Sequence, residues 1–446
     1  MQKDNYWIKS GLTNIFSSGF SVLFSFLTFY CLVRVLTKED YGIWNLFLAS
    51  TGIIETARNG LIQEAFIKFY SAGTDDEKRR ILTSVFVINL VTTIVLSIGL
   101  LLLVPTLSRS WGAPVMNQMF FVFITYFFIS GFLNLLNCVE QASLSFTGIF
   151  FSNIFRQIIM LAYPAYCYLT GAELNLTILV YLQIASIVVA LTIIYRYTKR
   201  YLKFSRKLDY HWLRKILSFG IYTFGVSLSV MLAGTTDQMM LGWLLSTAAT
   251  GVFSVALRIT AITEIPTMAM ATIVYPQLSR RISVEGENSA KYLYEKSVGV
   301  ILSILIPSIL LILIFSEPVL HFVAEKKYDE SLPLLKITLI SSLFSPFARQ
   351  AGTVFNSSGR AKLSFLLVIV SSLVIITTNF FMIRSFGIIG AALATLIATS
   401  INTAVALYFL KKLFHINVIN TFIYAYKFYP EFYRQYLKGL LFKKRN

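Results

Sequence analysis

The chain has 446 residues, of which 56% are hydrophobic and only 13% are charged. This composition excludes an ordinary soluble domain, in which about a quarter of the residues are charged, and a disordered chain, which combines low hydrophobicity with high charge. The formal net charge is +18, from 39 lysines and arginines against 21 aspartates and glutamates. In a soluble protein this surplus would suggest nucleic-acid binding, but in a chain with long apolar runs it is first tested as loop charge that orients membrane spans.

Apolar runs long enough to cross a bilayer recur from one end of the chain to the other. We predict an all-α polytopic membrane protein with about twelve transmembrane helices. Their predicted ranges are 10–35, 42–68, 81–104, 116–140, 147–169, 174–197, 216–243, 251–276, 297–315, 333–356, 362–384 and 387–410. Most connections are short, which is typical of bundles of antiparallel helices. Pro266 in the eighth span predicts a kink or a local unwinding of that helix.

The distribution of lysine and arginine predicts the orientation of these spans. With the N-terminus inside, the inner segments contain Lys78-Arg79-Arg80, seven basic residues in 198–215, and the basic tail after residue 410. The basic residues of the outer segments are Lys38, Arg109, Lys326, Lys327 and Arg384. Cytoplasmic loops carry such an excess of positive charge, so both termini are predicted to be cytoplasmic.

Four segments follow from this topology. They are an N-terminal six-helix lobe (1–197), a basic cytoplasmic linker (198–215), a C-terminal six-helix lobe (216–410) and a tail (411–446) that mixes basic and aromatic residues. Such a mixture can bind single-stranded nucleic acid, but after twelve spans it favours an amphipathic segment on the surface of an anionic leaflet. A thirteenth span over 413–429 would export the closing Lys443-Lys444-Arg445 cluster.

A weak internal repeat relates the two lobes. Leu36–Trp44 aligns with Leu245–Phe253 at an offset of 209 residues, and Glu55 falls on Glu264 at the same offset. The offset joins spans of equal predicted orientation, which indicates two parallel halves related by an axis along the membrane normal. Transporters built from such repeats bind substrate at the repeat interface.

Four stretches between residues 10 and 410 carry a family resemblance, namely Leu36–Trp44, Gly60-Leu61 with Ala65 and Lys68, Asp237 through Arg258, and Tyr328 through Lys336. They resemble the polysaccharide repeat-unit flippases of the multidrug/oligosaccharidyl-lipid/polysaccharide (MOP) exporter superfamily. The resemblance implies a MATE-like fold of two lobes around a central cavity. It also implies alternating access and export of undecaprenyl-diphosphate-linked oligosaccharides across a prokaryotic inner (plasma) membrane, for O-antigen (lipopolysaccharide), capsule or exopolysaccharide synthesis.

Charged side chains within the predicted spans are costly at bilayer depth, which makes them candidate functional residues. The candidate substrate-binding residues of the central cavity are Arg58, Arg258, Arg349, Glu55, Asn59, Gln63, Glu264 and Arg156. Arginine binds phosphate oxygens through two parallel hydrogen bonds, so we expect the first three to hold the diphosphate. The alternatives are internal ion pairs that tolerate burial, with Arg156 paired to Glu140. Asp237 is a candidate ion carrier or a partner of Arg258.

Neither a catalytic nor a metal site is predicted, since the sequence has no phosphate-binding loop and its three histidines are isolated. We expect a monomeric transporter without a cofactor, with H⁺ or Na⁺ as candidate coupling ions. The expected partners are a lipid-linked oligosaccharide, membrane lipids and polysaccharide polymerase machinery, but not nucleic acid. The main alternative is a cation-coupled multidrug or metabolite antiporter, which would favour an acidic cavity. A membrane enzyme acting on lipid-linked glycans would need a larger outer loop, and a scaffold would not need charges within its spans.

Overall fold

A computed structural model describes residues 2–285 and 288–432 of the chain. In this part of the protein all regular structure is helical, with fifteen α-helices and three short 3₁₀ turns. The helices are α1 (Gln2–Val35), α2 (Lys38–Ala72), α3 (Asp75–Ser110), α4 (Val115–Ala142), α5 (Thr147–Thr170), α6 (Leu176–Thr198), α7 (Tyr210–Leu244), α8 (Thr247–Thr260), α9 (Ile265–Glu285), α10 (Asn288–Ile314), α11 (Ser316–Ala324), α12 (Ser331–Ser342), α13 (Ser345–Ser357), α14 (Ala361–Phe414) and α15 (Val418–Phe432). Among the described residues, eight helical segments are long and apolar enough to cross a membrane. The prediction of an all-α polytopic membrane protein is confirmed.

Two predicted spans are broken in the structure. The eighth is divided into α8 and α9 by a 3₁₀ turn over Ala261–Glu264, and Pro266 follows at the start of α9. This break agrees with the predicted effect of Pro266, because proline lacks the amide hydrogen that a preceding helical turn requires. The tenth is divided into α12 and α13, and Pro346 occupies the first turn of α13. The hydropathy pattern does not predict this second break.

The predicted eleventh and twelfth spans both lie in α14. Gly387 interrupts α14 with a φ of 61° and a ψ of −138°, a conformation that is strained for residues with a side chain. The chain reverses direction at Gly387. This is shown by a hydrogen bond between the two arms of α14, which Asn402 donates to the hydroxyl of Ser371. A Cβ on Gly390 would lie 1.9 Å from the carbonyl oxygen of Met382, so the two arms leave the turn in close contact.

The chain forms two compact units, Met1–Gly251 and Val252–Asn446. The boundary between the units lies within α8, and the predicted division into two six-helix lobes at the basic linker stays a prediction. Helix α7 packs closely along α2 in the first unit, where the Thr223 hydroxyl donates to the carbonyl oxygen of Gly60 at 2.7 Å. Ile62 and Phe66 of α2 join Ile216 of α7 in one apolar cluster.

The second unit packs its helices around a separate apolar core. Leu302 of α10, Val354 of α13 and Leu410 of α14 are almost completely buried in it. The tail contributes Ala425 of α15 to the same core. The tail therefore begins as a packed part of the second unit.

Helix α15 runs alongside α10 in the same direction. The carboxylate of Glu295 accepts hydrogen bonds from the amide of Asn417 at 2.7 Å and from the side chain of Asn420 at 2.9 Å. Further along, the Tyr429 hydroxyl donates to the carbonyl oxygen of Ser303 at 2.5 Å. An interfacial helix would instead lie in the plane of the leaflet surface. The membrane placement of the tail stays a prediction, and residues 433–446 lie outside the described part.

The two copies of the sequence repeat begin in the same way. The Thr37 hydroxyl accepts a hydrogen bond from the amide of Asp40 at 3.0 Å, at the start of α2. The Ser246 hydroxyl accepts one from the amide of Ala249 at 3.1 Å, at the start of α8. A hydroxyl that caps the first turn satisfies an amide with no partner inside the helix. Both the donors and the acceptors are related by the offset of 209 residues.

The same two helix ends cross each other at a pair of equivalent glycines. A Cβ on Gly42 would lie 1.8 Å from the carbonyl oxygen of Thr247, and one on Gly251 would lie 2.2 Å from that of Lys38. Thr247 and Lys38 are themselves related by the repeat offset. The crossing is therefore symmetric, and it depends on the absence of a side chain at both positions.

Candidate functional site

Arg58 lies in the middle of α2 and is only 1% exposed. One terminal guanidinium nitrogen donates to the carbonyl oxygen of Phe127 at 2.5 Å, and the other donates to the Ser130 hydroxyl at 2.9 Å. Its Nε donates to Oδ1 of Asn59 at 3.3 Å, and the guanidinium lies 4.2 Å from the centre of the Phe127 ring. All three nitrogens are engaged, so the position and orientation of this charge are fixed by α4.

Asn59 extends the polar contact between α2 and α4. Its Oδ1 also accepts a hydrogen bond from the side chain of Asn134 at 2.9 Å. The α4 residues Tyr126, Ser130 and Asn134 are spaced by four residues, so they lie along one face of that helix. None of these three residues is among the candidates predicted from the sequence, although their four-residue spacing within an apolar span is a signal that could have revealed them.

Glu55 lies one turn before Arg58 and interacts electrostatically with Arg58, with Arg156 of α5 and with Tyr126. Its Oε1 and the Nε of Arg156 are buried, and no residue that the structure describes forms a hydrogen bond with either atom. Most buried polar atoms in folded proteins have a partner, so two such atoms in one cluster mark it as a candidate binding site. The cluster contains two arginines and one carboxylate.

Glu140 does not form the alternative ion pair with Arg156. Its carboxylate accepts hydrogen bonds from the amides of Gly148 at 2.8 Å and Ile149 at 2.7 Å, and from the Ser145 hydroxyl at 3.1 Å. These amides belong to the first turn of α5, where a negative charge is favoured by the helix dipole. Glu140 therefore has a structural role as a cap supplied by α4.

The second unit has its own charged cluster where the broken helices meet. A terminal nitrogen of Arg349 lies 3.6 Å from Oε2 of Glu264, and the Ser345 hydroxyl donates to the same oxygen at 2.7 Å. Glu264 ends the 3₁₀ turn between α8 and α9, and Ser345 begins α13. The Arg349 side chain is 43% exposed, so this arginine is much more accessible than Arg58. Broken helices at membrane depth are tolerated where they are buried in protein or line a cavity.

The other candidate residues lie outside these two clusters. Gln63 is half-buried on α2, Asp237 is buried on α7, and Arg258 is exposed on α8. The structure thus groups Glu55, Arg58, Asn59 and Arg156 in the first unit and Glu264 with Arg349 in the second. Their common membership of one substrate-binding cavity stays a prediction, as does a role of Asp237 in ion coupling.

Comparisons with known proteins identify the family. The sequence profile described as polysaccharide biosynthesis protein matches residues 31–333. The probable low-salt glycan biosynthesis flippase Agl15 of Haloferax volcanii is 22% identical over 409 residues, which cover 91% of this chain and 83% of Agl15. The uncharacterized membrane protein MJ1375 of Methanocaldococcus jannaschii is 23% identical over 421 residues, covering 89% of this chain and 94% of that protein.

Two groups of solved structures share the fold. The lipid II flippase MurJ in an inward closed conformation has a TM-score of 0.76 at 15% identity, covering 96% of this chain and 92% of MurJ. An inward-facing multidrug resistance MATE family transporter of the MOP superfamily has a TM-score of 0.77 at 16% identity, covering 89% of this chain and 94% of the transporter. The profile match spans most of the chain and agrees with the resemblance carried by its motifs. The chain therefore belongs to the polysaccharide biosynthesis protein family, and its fold is that of the MOP superfamily.

Proposed function

We propose that this protein transports undecaprenyl-diphosphate-linked oligosaccharide repeat units from the inner to the outer leaflet of a prokaryotic plasma membrane by alternating access. The family supports a role in polysaccharide synthesis. Agl15 is a probable glycan biosynthesis flippase and MurJ is a lipid II flippase, which supports a lipid-linked cargo. The product would be a surface polysaccharide such as O-antigen, capsule or exopolysaccharide.

The observation that carries this proposal is that arginines outnumber carboxylates among the candidate residues within the helices. Arg58 and Arg156 lie beside Glu55 in the first unit, and Arg349 lies beside Glu264 in the second. Arg258 and Asp237 lie outside both clusters. A diphosphate that leaves water needs cationic hydrogen-bond donors in place of its hydration shell. Cationic drugs would instead favour an acidic site, so the charge balance supports an anionic cargo over the antiporter alternative.

The two clusters support different roles for their arginines. Arg58 is held by three hydrogen bonds to protein, so it contributes a fixed positive field. Arg349 is more exposed and its ion pair is long, so its guanidinium can turn toward a phosphate group. In this mechanism the lipid tail stays in the bilayer while the sugar crosses beside polar side chains. Glu55 and Glu264 moderate the positive field, and Asp237 is the proposed carrier of H⁺ or Na⁺.

The test is a flipping assay in reconstituted vesicles with a fluorescent polyprenyl-diphosphate oligosaccharide, with and without an imposed H⁺ or Na⁺ gradient. Arg349→Gln should lower the flipping rate at least tenfold, since hydrogen bonds to a charged group contribute about 1.5–3 kcal/mol each. Arg384→Gln is the matched control, because Arg384 is an exposed arginine of α14 that stacks on Phe380 of its own helix.

Three outcomes would count against the proposal. Equal flipping by the wild type and Arg349→Gln would remove this residue from the cargo site. Intact flipping after charge-removing substitutions at Arg58, Arg258 and Arg349 together would overturn the assignment of the diphosphate to arginines. Wild-type protein that moves none of these lipids, but drives gradient-dependent efflux of small organic cations, would support the antiporter instead.

A further inference from the structure

A pocket of about 310 Å³ lies in the first unit between the start of α3, the end of α4 and the segment after α6. Four basic side chains line it, namely Lys78 and Arg79 from α3 and Arg200 and Lys203 from the linker. The carboxylate of Asp75 also lines the pocket, which leaves a surplus of positive charge. We call this the basic pocket. Its volume is at the lower end of the range of small-molecule sites.

The basic pocket is held in shape by hydrogen bonds that do not involve its cations. The Tyr70 hydroxyl donates to the carbonyl oxygen of Tyr201 at 3.3 Å, which ties the end of α2 to the 3₁₀ turn over Lys199–Tyr201 in the linker. The Thr83 hydroxyl accepts a hydrogen bond from the amide of Ser205 at 2.8 Å, which ties the linker to α3. These bonds set the spacing of the basic residues, so the pocket is formed before a ligand arrives.

The four cations are available to an anion. None of them forms an ion pair with a residue that the structure describes, and Arg79, Arg200 and Lys203 are exposed. Neighbouring Arg80 differs, because it is bound to Asp76 at 2.7 Å and to Asp209 at 3.5 Å and does not line the pocket. The acidic residues near the start of α3 thus neutralise the adjacent arginine and leave the pocket positive.

The position of the pocket along α3 fits a lipid headgroup. Lys78 and Arg79 directly precede the predicted apolar span that begins at Ile81, so they lie where a span meets the polar headgroup region. Basic clusters at this level attract anionic lipids. We propose that the basic pocket binds the phosphate or diphosphate headgroup of a membrane lipid on the predicted cytoplasmic side. This assignment does not depend on which cargo the protein transports.

The test measures binding of fluorescent phosphatidic acid to the full-length protein in detergent micelles, with unlabelled lipids as competitors. Each cation near a membrane surface contributes about 1 kcal/mol, so Lys78→Gln/Arg79→Gln should weaken binding about 30-fold, equivalent to ~2 kcal/mol. Arg200→Gln/Lys203→Gln should do the same from the other wall. The matched control is Arg206→Gln/Lys207→Gln, which removes two exposed charges of the same linker that do not line the pocket.

The competitors and one further variant separate the possible outcomes. Unlabelled phosphatidic acid should displace the probe, and phosphatidylcholine should not. If inorganic pyrophosphate displaced the probe as effectively as phosphatidic acid, the pocket would be assigned to a soluble anion instead. Arg79→Lys/Arg200→Lys keeps both charges and should retain most of the binding, which guards against loss through misfolding. Equal losses in the pocket variants and the linker control would show general charge attraction and overturn the proposal.

Discussion

At the scale of single residues, the protein holds two of its arginines within the helices in different ways. Arg58 is 1% exposed and donates to a backbone carbonyl, a hydroxyl and an amide side chain. Arg349 is 43% exposed, and Glu264 is its partner at 3.6 Å. A buried, fully bonded charge is strongly destabilising to disturb, whereas a partly exposed ion pair contributes little to stability. We therefore expect substitutions of Arg58 to lower stability, and substitutions of Arg349 to lower transport with little change in stability.

Arg58→Lys is expected to lower the thermal midpoint of the purified protein clearly. Lysine keeps the charge, but its single nitrogen cannot reach Phe127 and Ser130 in the fork geometry of the guanidinium or stack on the ring. Loss of one partner from a buried charged network destabilises by about 3–5 kcal/mol, and the retained charge should reduce this to about half. Arg349→Lys should change stability by about 1 kcal/mol or less. Equal midpoints for the two variants in a thermal unfolding assay would contradict this division.

At the scale of helices, the ends of the elements carry much of the specific geometry. Thr74 and Glu77 form a reciprocal cap at the start of α3, in which Glu77 accepts a hydrogen bond from the Thr74 amide at 2.8 Å and from its hydroxyl at 3.0 Å. These hydrogen bonds, first from the backbone and then from the hydroxyl, hold the pKa of Glu77 below its usual range. The charged form is therefore the one that stabilises the helix end.

The sign of this shift predicts how the start of α3 responds to acid. A carboxyl group whose pKa is lowered by folding stabilises the helix end above its ordinary pKa of about 4.3, and that contribution is lost as the pH falls through the lowered value. Hydrogen exchange at the first amides of α3, corrected for intrinsic rates, should accelerate below about pH 4.3 in the wild type. Glu77→Gln cannot titrate at this position and should show a smaller step. An identical pH profile in both proteins would contradict the role of the cap.

The crossing of α2 and α8 is the second feature at this scale. Because a Cβ on Gly42 would lie 1.8 Å from a backbone oxygen, Gly42→Ala must push the two helix ends apart. We expect it to abolish transport and to lower stability, and Gly251→Ala to behave alike because its contact is symmetric. The double variant should lose less stability than the sum of the single ones, since both substitutions open the same crossing.

The control for the crossing is a glycine in open space. A Cβ on Gly99 of α3 has nothing within 4 Å, so Gly99→Ala should be neutral or stabilise by up to ~1 kcal/mol through higher helix propensity. Thermal unfolding and flipping rates of the four variants measure the difference. If Gly42→Ala matched Gly99→Ala in both assays, the crossing would not constrain the protein.

At the scale of the whole molecule, the sequence predicts the helices well because long apolar runs must be helical in a membrane. The turn at Gly387 falls at the first residue of the twelfth predicted span, and the break before Pro266 follows from the chemistry of proline. Contacts between helices are less predictable, because they depend on the register of two segments distant in sequence. The hydrogen bond from Arg58 to α4 and the cap that Glu140 forms on α5 both join different helices. The periodicity of residues along a single helix does not predict such contacts.

The packing of α15 is another contact between helices that its own sequence does not predict. The aromatic and basic composition of the tail indicates a surface segment, but α15 packs against a small residue on another helix. A Cβ on Gly299 of α10 would lie 2.6 Å from the Cβ of Tyr424, so this glycine lets α15 approach α10 closely. A small residue within a predicted span is typical of helix contacts in membranes and is the signal available in the sequence.

The side of the membrane reached by the C-terminus is the remaining question at this scale. The 15 described residues of α15 span about 22 Å, against the roughly 30 Å of the hydrocarbon core. Transfer of the closing Lys443-Lys444-Arg445 cluster to the outside would also oppose the charge bias of the loops. We therefore predict that both termini are cytoplasmic although α15 packs beside a span.

Single cysteines labelled with a membrane-impermeant maleimide test this topology. The native Cys31, Cys138 and Cys167 are buried and would be replaced by alanine. Lys3→Cys and Lys444→Cys should react in inside-out vesicles and stay unlabelled in intact cells, while a cysteine in the predicted outer loop, Lys326→Cys, should show the reverse pattern. If Lys444→Cys reacted in intact cells and Lys3→Cys did not, the chain would cross the membrane an odd number of times. The segment from α15 onward would then be a thirteenth span, held at its entry by the hydrogen bonds that Glu295 accepts from Asn417 and Asn420.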